Sequence, residues 1–272
     1  MSALALAHGL HEGVPEAEYH RKELGLASKH ALDLVLKAPA KYRASLTDAD
    51  REPTPAMRFG SDFHQATLEP HLYSATTATA RQREDAQAIL GMRDAVYAHP
   101  VAGKLLAHGH PEVTARWRDS ETGLECKARA DLWVPSLGVI ADLKSCADAS
   151  VEEFSRSVAK YTYHVQAAMY LEGFRIASVE ATEEVRRKWR GSARTERIAS
   201  DGPQVDAFVF IAVEKEPPHL MAVYVLDEAA IERGRLRMRR GMRTLAECLA
   251  KDEWPGLPTH IQAIDLPRWY QD

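Results

Sequence analysis

The stretch CKARADLWVPSLGVIADLKS, residues 126–145, decides how this chain is read. From Cys126 to Val134 the residues Cys126, Ala128, Ala130, Leu132 and Val134 alternate with Lys127, Arg129, Asp131 and Trp133, the period of a strand with one buried face. Pro135-Ser136-Leu137-Gly138 supplies a turn, and Val139 to Ser145 reads as the returning strand. Residues equidistant from a Ser136-Leu137 turn face each other, which sets Asp131 opposite Asp142 and Arg129 opposite Lys144. Cβ atoms of such partners lie about 4.5–5.5 Å apart, where two carboxylates repel unless a cation or proton stands between them. Asp142 and Lys144, two apart on one strand, share that face.

Two aspartates with no cysteine between them suit a hard divalent cation such as Mg²⁺, which takes oxygen ligands and keeps waters that a phosphate oxygen can replace. The Lys144 ammonium is placed to orient or deprotonate an attacking water and to offset charge developing on phosphate. The same residues also read as a solvated ion pair on an exposed sheet face. Against that, Val139-Ile140-Ala141 and Leu143 mark a largely buried strand, where an unpaired aspartate is expensive. Lys127 and Arg129 either bind substrate phosphates or pair with the aspartates across the hairpin.

Outward from this hairpin, Val113, Ala115 and Trp117 alternate with Glu112, Thr114, Arg116 and Arg118 as a preceding strand, joined through a turn at Ser120-Glu121-Thr122-Gly123. Upstream, residues 16–46 suggest a helical entry stopping at Ala38-Pro39, Phe59 to Leu68 a helix, and 81–107 more helix broken near His99-Pro100. Downstream, a helix is expected from Val151 to Phe174, strands at Phe208–Val213 and Leu220–Leu226, and an Arg-rich helix from Glu228 to Lys251. This order describes an α/β core with an N-terminal helical extension. Gln166 and Tyr170, four apart, occupy one helix face and can reach one phosphate, although Tyr170 fits equally a buried stripe with Tyr163, Ala167 and Phe174. Arg235, Arg237 and Arg239, like the run Arg186-Arg187-Lys188-Trp189-Arg190, form either a phosphate-tracking groove or a solvated helix face.

With 272 residues, 45% hydrophobic and 27% charged, the chain has the make-up of a soluble globular protein built as one domain. No apolar run approaches the roughly 18 residues of a membrane span, and MSALALAHGLHEG lacks a basic lead or cleavage pattern, so the expected location is cytoplasmic. Cys126, Cys146 and Cys248 are too few and too scattered for a structural zinc site or a disulfide framework. A net charge of −4 gives no global nucleic-acid signature, so DNA affinity must come from local cations and a metal.

The ordered segments Gly60-Ser61-Asp62-Phe63-His64, Cys126 to Asp131, Ile140-Ala141-Asp142-Leu143-Lys144-Ser145 and Gln166-Ala167-Ala168-Met169-Tyr170 resemble the RecB-type motifs of the PD-(D/E)xK nuclease superfamily. Their closer likeness is to the phage-type exodeoxyribonuclease VIII (RecE) exonucleases, with Glu18-Tyr19-His20 and Lys37-Ala38-Pro39-Ala40-Lys41-Tyr42 similar to the entry segment of that group. The resemblance spans about residues 16 to 175. It implies a restriction-endonuclease-like α/β core, a mixed central sheet flanked by helices. The whole of 1–272 would be one nuclease domain: 1–110 mainly helical, 111–230 the catalytic sheet core, 231–272 a C-terminal helix and tail. It further implies that His64, Asp131 and Asp142 bind Mg²⁺ or Mn²⁺, that Lys144 is catalytic, and that the Gln166–Tyr170 helix borders the site; Leu143 stands where many members of the superfamily carry an acidic ligand, so the third ligand falls to the Leu143 backbone carbonyl or to His64. The implied activity is 5′→3′ exonucleolysis from duplex DNA ends in phage-type recombination, with a single-strand annealing protein as partner and a homo-oligomeric ring as assembly. An endonuclease or structure-specific repair nuclease on the same site, or a catalytically silent DNA-binding protein on the same fold, are the competing readings.

Overall fold

The computed structural model describes residues 6–47, 52–180 and 204–265. A short strand β1 (Gly9–His11) and a single turn α1 (Glu16–Tyr19) lead to α2 (Lys29–Lys37), whose first turn is closed by the Ser28 hydroxyl accepting from the Ala31 amide. Pro39 ends that helix and, with its fixed φ, starts the next, α3 (Pro39–Ser45). Thr54 caps α4 (Pro55–Leu68), and a capping box of Thr79 with Gln82 opens α5 (Ala80–Ala98), which His99-Pro100 separates from α6 (Ala102–His108). The meander follows as β2 (His110–Arg118), β3 (Glu125–Val134) and β4 (Val139–Cys146). Where one helix was expected from Val151 to Phe174 there are two, α7 (Val151–Lys160) and α8 (Tyr163–Glu180), divided at Thr162, whose φ is 56°. Then come β5 (Ala207–Glu214), β6 (Met221–Val225) and α9 (Glu228–Lys251). The Arg186–Arg190 run lies outside the described residues.

The strands form one mixed sheet in the order β1-β2-β3-β4-β5-β6, antiparallel throughout except for the parallel pair β4–β5. Helices cover both faces. On one side α2, α8 and α9 pack with Ala128, Ala130, Ile140, Phe208 and Phe210; on the other, α4, α5 and α6 pack with Val134, Ala141, Leu143, Val209 and Ile211. The expected N-terminal helices are therefore divided between the two covering layers. Helix α8 is buried nearly all round because it lies between the sheet and α9. That closeness requires Gly234, where a Cβ would sit 2.0 Å from the His164 carbonyl oxygen. Among the described residues no helix is long and apolar enough to cross a membrane, and the three cysteines are free thiols.

One expectation needs correction. The β3–β4 ladder keeps the predicted register, Val134 with Val139 and Leu132 with Ala141, but it stops there, so Asp131 and Asp142 are not ladder partners and neither are Arg129 and Lys144. The cause is a change of face on β3. Cys126, Ala128 and Ala130 belong to the α8 layer, whereas Leu132 and Val134 belong to the α4 layer and Trp133 has moved to the α8 side. The single alternation read from Cys126 to Val134 is thus two half-strands that change phase at Asp131.

Candidate active site

The phase change frees the Asp131 carboxylate to turn along β4, where it accepts the Leu143 amide at 2.8 Å. From α4, His64 reaches over the sheet: its Nδ1 lies 3.4 Å from Asp131 Oδ2 and its Nε2 3.0 Å from the Leu143 carbonyl oxygen. Both ring nitrogens thus face oxygen atoms of the site.

Opposite Asp131 on β2 stands Glu112, between the pairs Pro111–Leu132 and Val113–Ala130, with a left-handed φ of 52°. A non-glycine residue there is uncommon and points to a constrained position. Donor atoms of His64, Glu112 and Asp131 lie within 4.8 Å of one another. Burial pushes the Glu112 carboxyl up to about 8, the Asp131 charge adds to this, and Arg129, 3.8 Å away, opposes it. One imidazole and two crowded carboxylates form a donor set that fits a divalent cation, Mn²⁺ as well as Mg²⁺.

On the α8 side of β4, Asp142 is almost wholly buried. Gln166 Nε2 donates to its Oδ1 at 2.6 Å, and its Oδ2 forms an ion pair with Lys144 Nζ. Burial pushes Asp142 up to about 6, with Lys144 opposing and Asp131 reinforcing the rise. For Lys144 burial acts downward, but the charges of Asp142 and Asp131 outweigh it and hold the ammonium above its ordinary range. The Tyr163 ring centroid lies 4.9 Å from the same ammonium. Leu143, between the two, points its side chain into the α4 layer, as strand alternation requires.

The structure therefore gathers His64, Asp131, Asp142, Leu143, Lys144 and Gln166 in one place, with Leu143 contributing a carbonyl that His64 already contacts. Tyr170 packs its ring on Phe208 and meets Tyr19 with its hydroxyl, where the charges of Asp142 and Asp131 still act on it. Lys127 donates to the carbonyls of Tyr19 and Arg21, and Arg129 to Val14 and the Thr114 hydroxyl, with the Tyr19 ring 4.2 Å away. Both cations hold the N-terminal segment down. On α9, Arg235 pairs with Glu232, Arg237 is exposed, and Arg239 turns inward to Asp119 and Glu172. Glu112 escaped the sequence reading; the Ser120–Gly123 turn carried the signal, because residues equidistant from it set Glu112 against Asp131.

A family model for a PDDEXK-like domain of unknown function (DUF3799) matches residues 28–185. The chain belongs to this PDDEXK-like family. The match covers every residue gathered at the site and both hairpins that carry them. The solved structure of a "putative exonuclease" from Eubacterium rectale is similar to this PDDEXK-like chain with a TM-score of 0.60 at 15% identity, over 94% of this chain and 96% of the other. A phage-related exonuclease from Haemophilus somnus 129PT shares 13% identity over 84% of this chain and 96% of the other, with a TM-score of 0.37. The first likeness supports the mixed sheet flanked by helices as a PDDEXK-like fold. No curated protein matches the chain.

Proposed function

We propose that this protein is a divalent-metal-dependent deoxyribonuclease that hydrolyses phosphodiester bonds. The observation that carries the proposal is the convergence of His64, Glu112 and Asp131, with donor atoms within 4.8 Å of one another beside the Leu143 carbonyl, next to a buried Asp142–Lys144 pair. His64, Glu112 and Asp131 would hold the ion, with Asp142 beside them. A divalent cation such as Mg²⁺ or Mn²⁺ held by these residues would supply Lewis-acid chemistry toward a phosphate oxygen and a water. Gln166 fixes one oxygen of Asp142 and leaves the other to Lys144. Lys144, held charged by that carboxylate, faces the incoming phosphate and offsets the charge that grows on it as water adds to phosphorus and the sugar–oxygen bond to phosphorus breaks.

The finer reading rests on the sequence resemblance: exonucleolysis from duplex ends, 5′→3′, in phage-type recombination, with the product strand passed to a single-strand annealing protein and the enzyme acting as a homo-oligomeric ring. Digestion of linear duplex, nicked circular, covalently closed circular and single-stranded DNA in Mg²⁺, Mn²⁺ and EDTA tests it. Linear duplex should be consumed with either metal and spared in EDTA. Cutting of covalently closed circles would replace the exonuclease reading by an endonuclease, and absence of digestion in every condition would leave only a DNA-binding role.

A further inference from the structure

The break between α7 and α8 has no glycine. Thr162, a β-branched residue, takes the left-handed conformation at φ 56°, a backbone strain that persists only where the surroundings enforce it. They do so here: Lys29 Nζ donates to the Tyr161 carbonyl at 2.8 Å, and the Thr162 hydroxyl donates to Asp33 Oδ1 at 2.9 Å. The outcome is that Tyr161 projects with 48% of its surface exposed, while its ring stacks on Tyr163 at a centroid distance of 5.6 Å and an interplanar angle of 27°. Tyr163 is accounted for by packing, since it contacts Phe154 and Phe210 and touches Lys144. Packing does not account for Tyr161. It extends that aromatic column outward from the candidate catalytic lysine into solvent, with the Lys160 ammonium 5.2 Å from its centroid on a flexible stem.

We propose that Tyr161 stacks on the base of an unpaired nucleotide adjoining the phosphate held at Lys144, so that the favoured substrate class is DNA with a frayed or single-stranded end. This deepens the nuclease reading and rests on it. The ring-to-ring step of 5.6 Å and the ring-to-ammonium step of 4.9 Å keep Tyr161 within reach of a nucleotide close to a phosphate at Lys144. Every base offers a π-face, so the contact is indifferent to sequence, as end-processing requires. Lys160 is placed to leave the ring for a backbone phosphate when a base arrives.

The test uses the full chain and a duplex with a short overhang that carries 2-aminopurine at its second nucleotide, with Ca²⁺ replacing Mg²⁺ for binding and Mg²⁺ restored for turnover. Wild type should quench the probe. Tyr161→Ala should lose the quench, bind the overhang duplex about 5- to 100-fold more weakly, the range for losing one base–aromatic stack, and show the loss in KM more than in kcat; Tyr161→Phe should restore all three. If wild type digests DNA and Tyr161→Ala matches it in quench and KM, the stacking role is overturned and the nuclease reading stands. If wild type binds and quenches but digests nothing in Mg²⁺ or Mn²⁺, the nuclease reading falls alone. Absence of binding by wild type overturns both.

Discussion

Lys144 and Asp142 depend on each other. With the lysine side chain 18% exposed and the aspartate 2%, Lys144→Ala strands a buried carboxylate that keeps only Gln166 as donor. The variant is expected to lose about 10²-fold or more in turnover and about 3 kcal/mol of stability in EDTA, read by single-turnover digestion and urea melts; wild-type turnover excludes Lys144 from the chemistry. Glu112 gives the opposite sign. Its folded-state value of about 8 lies above the ordinary 4.5, so between these values the folded protein binds more protons than the unfolded chain and stability in EDTA falls as pH rises. Glu112→Gln should remove that slope, raise the melting temperature in EDTA at neutral pH and reduce the gain from Mn²⁺; a slope that survives the substitution locates the pH dependence elsewhere. Residues announced by spacing, Asp142, Lys144 and Gln166, were legible in the sequence. Glu112 was hidden because its role depends on a second hairpin register and a left-handed backbone that no residue type advertises. For Tyr170 the i, i+4 spacing gave its place beside Gln166 on α8 but not its hydroxyl partner, Tyr19, which comes from a distant stretch of chain.

Strands and helices were read well where local chemistry sets them. The Asp227 side chain caps α9, and α9 spans the predicted Glu228–Lys251; the Ser120–Gly123 turn falls where β2 and β3 join, and the Pro135–Gly138 turn gave the β3–β4 register as far as Leu132 with Ala141. What failed was non-local. β1 is three residues long and exists through its pairing with β2, and the change of face on β3 reflects two different helical layers. The Arg-rich character of α9 also divides by face: Arg239 joins Asp119, which is 1% exposed, to Glu172, and so fastens α9 to the β2–β3 turn and to α8. Arg239→Ala should therefore destabilise by about 3 kcal/mol, the scale of breaking a buried pair, whereas Arg237→Gln should leave stability unchanged and, if α9 tracks DNA, flatten the salt dependence of binding. Equal melting of Arg239→Ala and wild type would contradict the fastening role. Gly234→Ala tests the same contact, because a methyl group there meets the α8 backbone two residues before Gln166; stability should fall by at least 1–3 kcal/mol, together with activity.

At the scale of the molecule, a net charge of −4 means that the proposed DNA affinity would have to come from a bound metal and from local cations. Mn²⁺ at about 100 times its Kd should raise wild-type stability by about 2.7 kcal/mol, and Asp131→Asn should erase most of that gain; full stabilisation of the variant would place the ion elsewhere. The sheet topology gives the ion a kinetic signature. Both hairpins of the β2–β3–β4 meander close over short turns, whereas β5 must return from Cys146 to Ala207 to lie parallel to β4, a slow non-local pairing. His64 reaches Asp131 and the Leu143 carbonyl only once α4 lies on the sheet, another contact between distant stretches of chain, so the complete donor set is expected to form late in folding. The denaturant dependence of the rates should show this directly, with Mn²⁺ slowing the unfolding arm while the refolding arm keeps its slope and height.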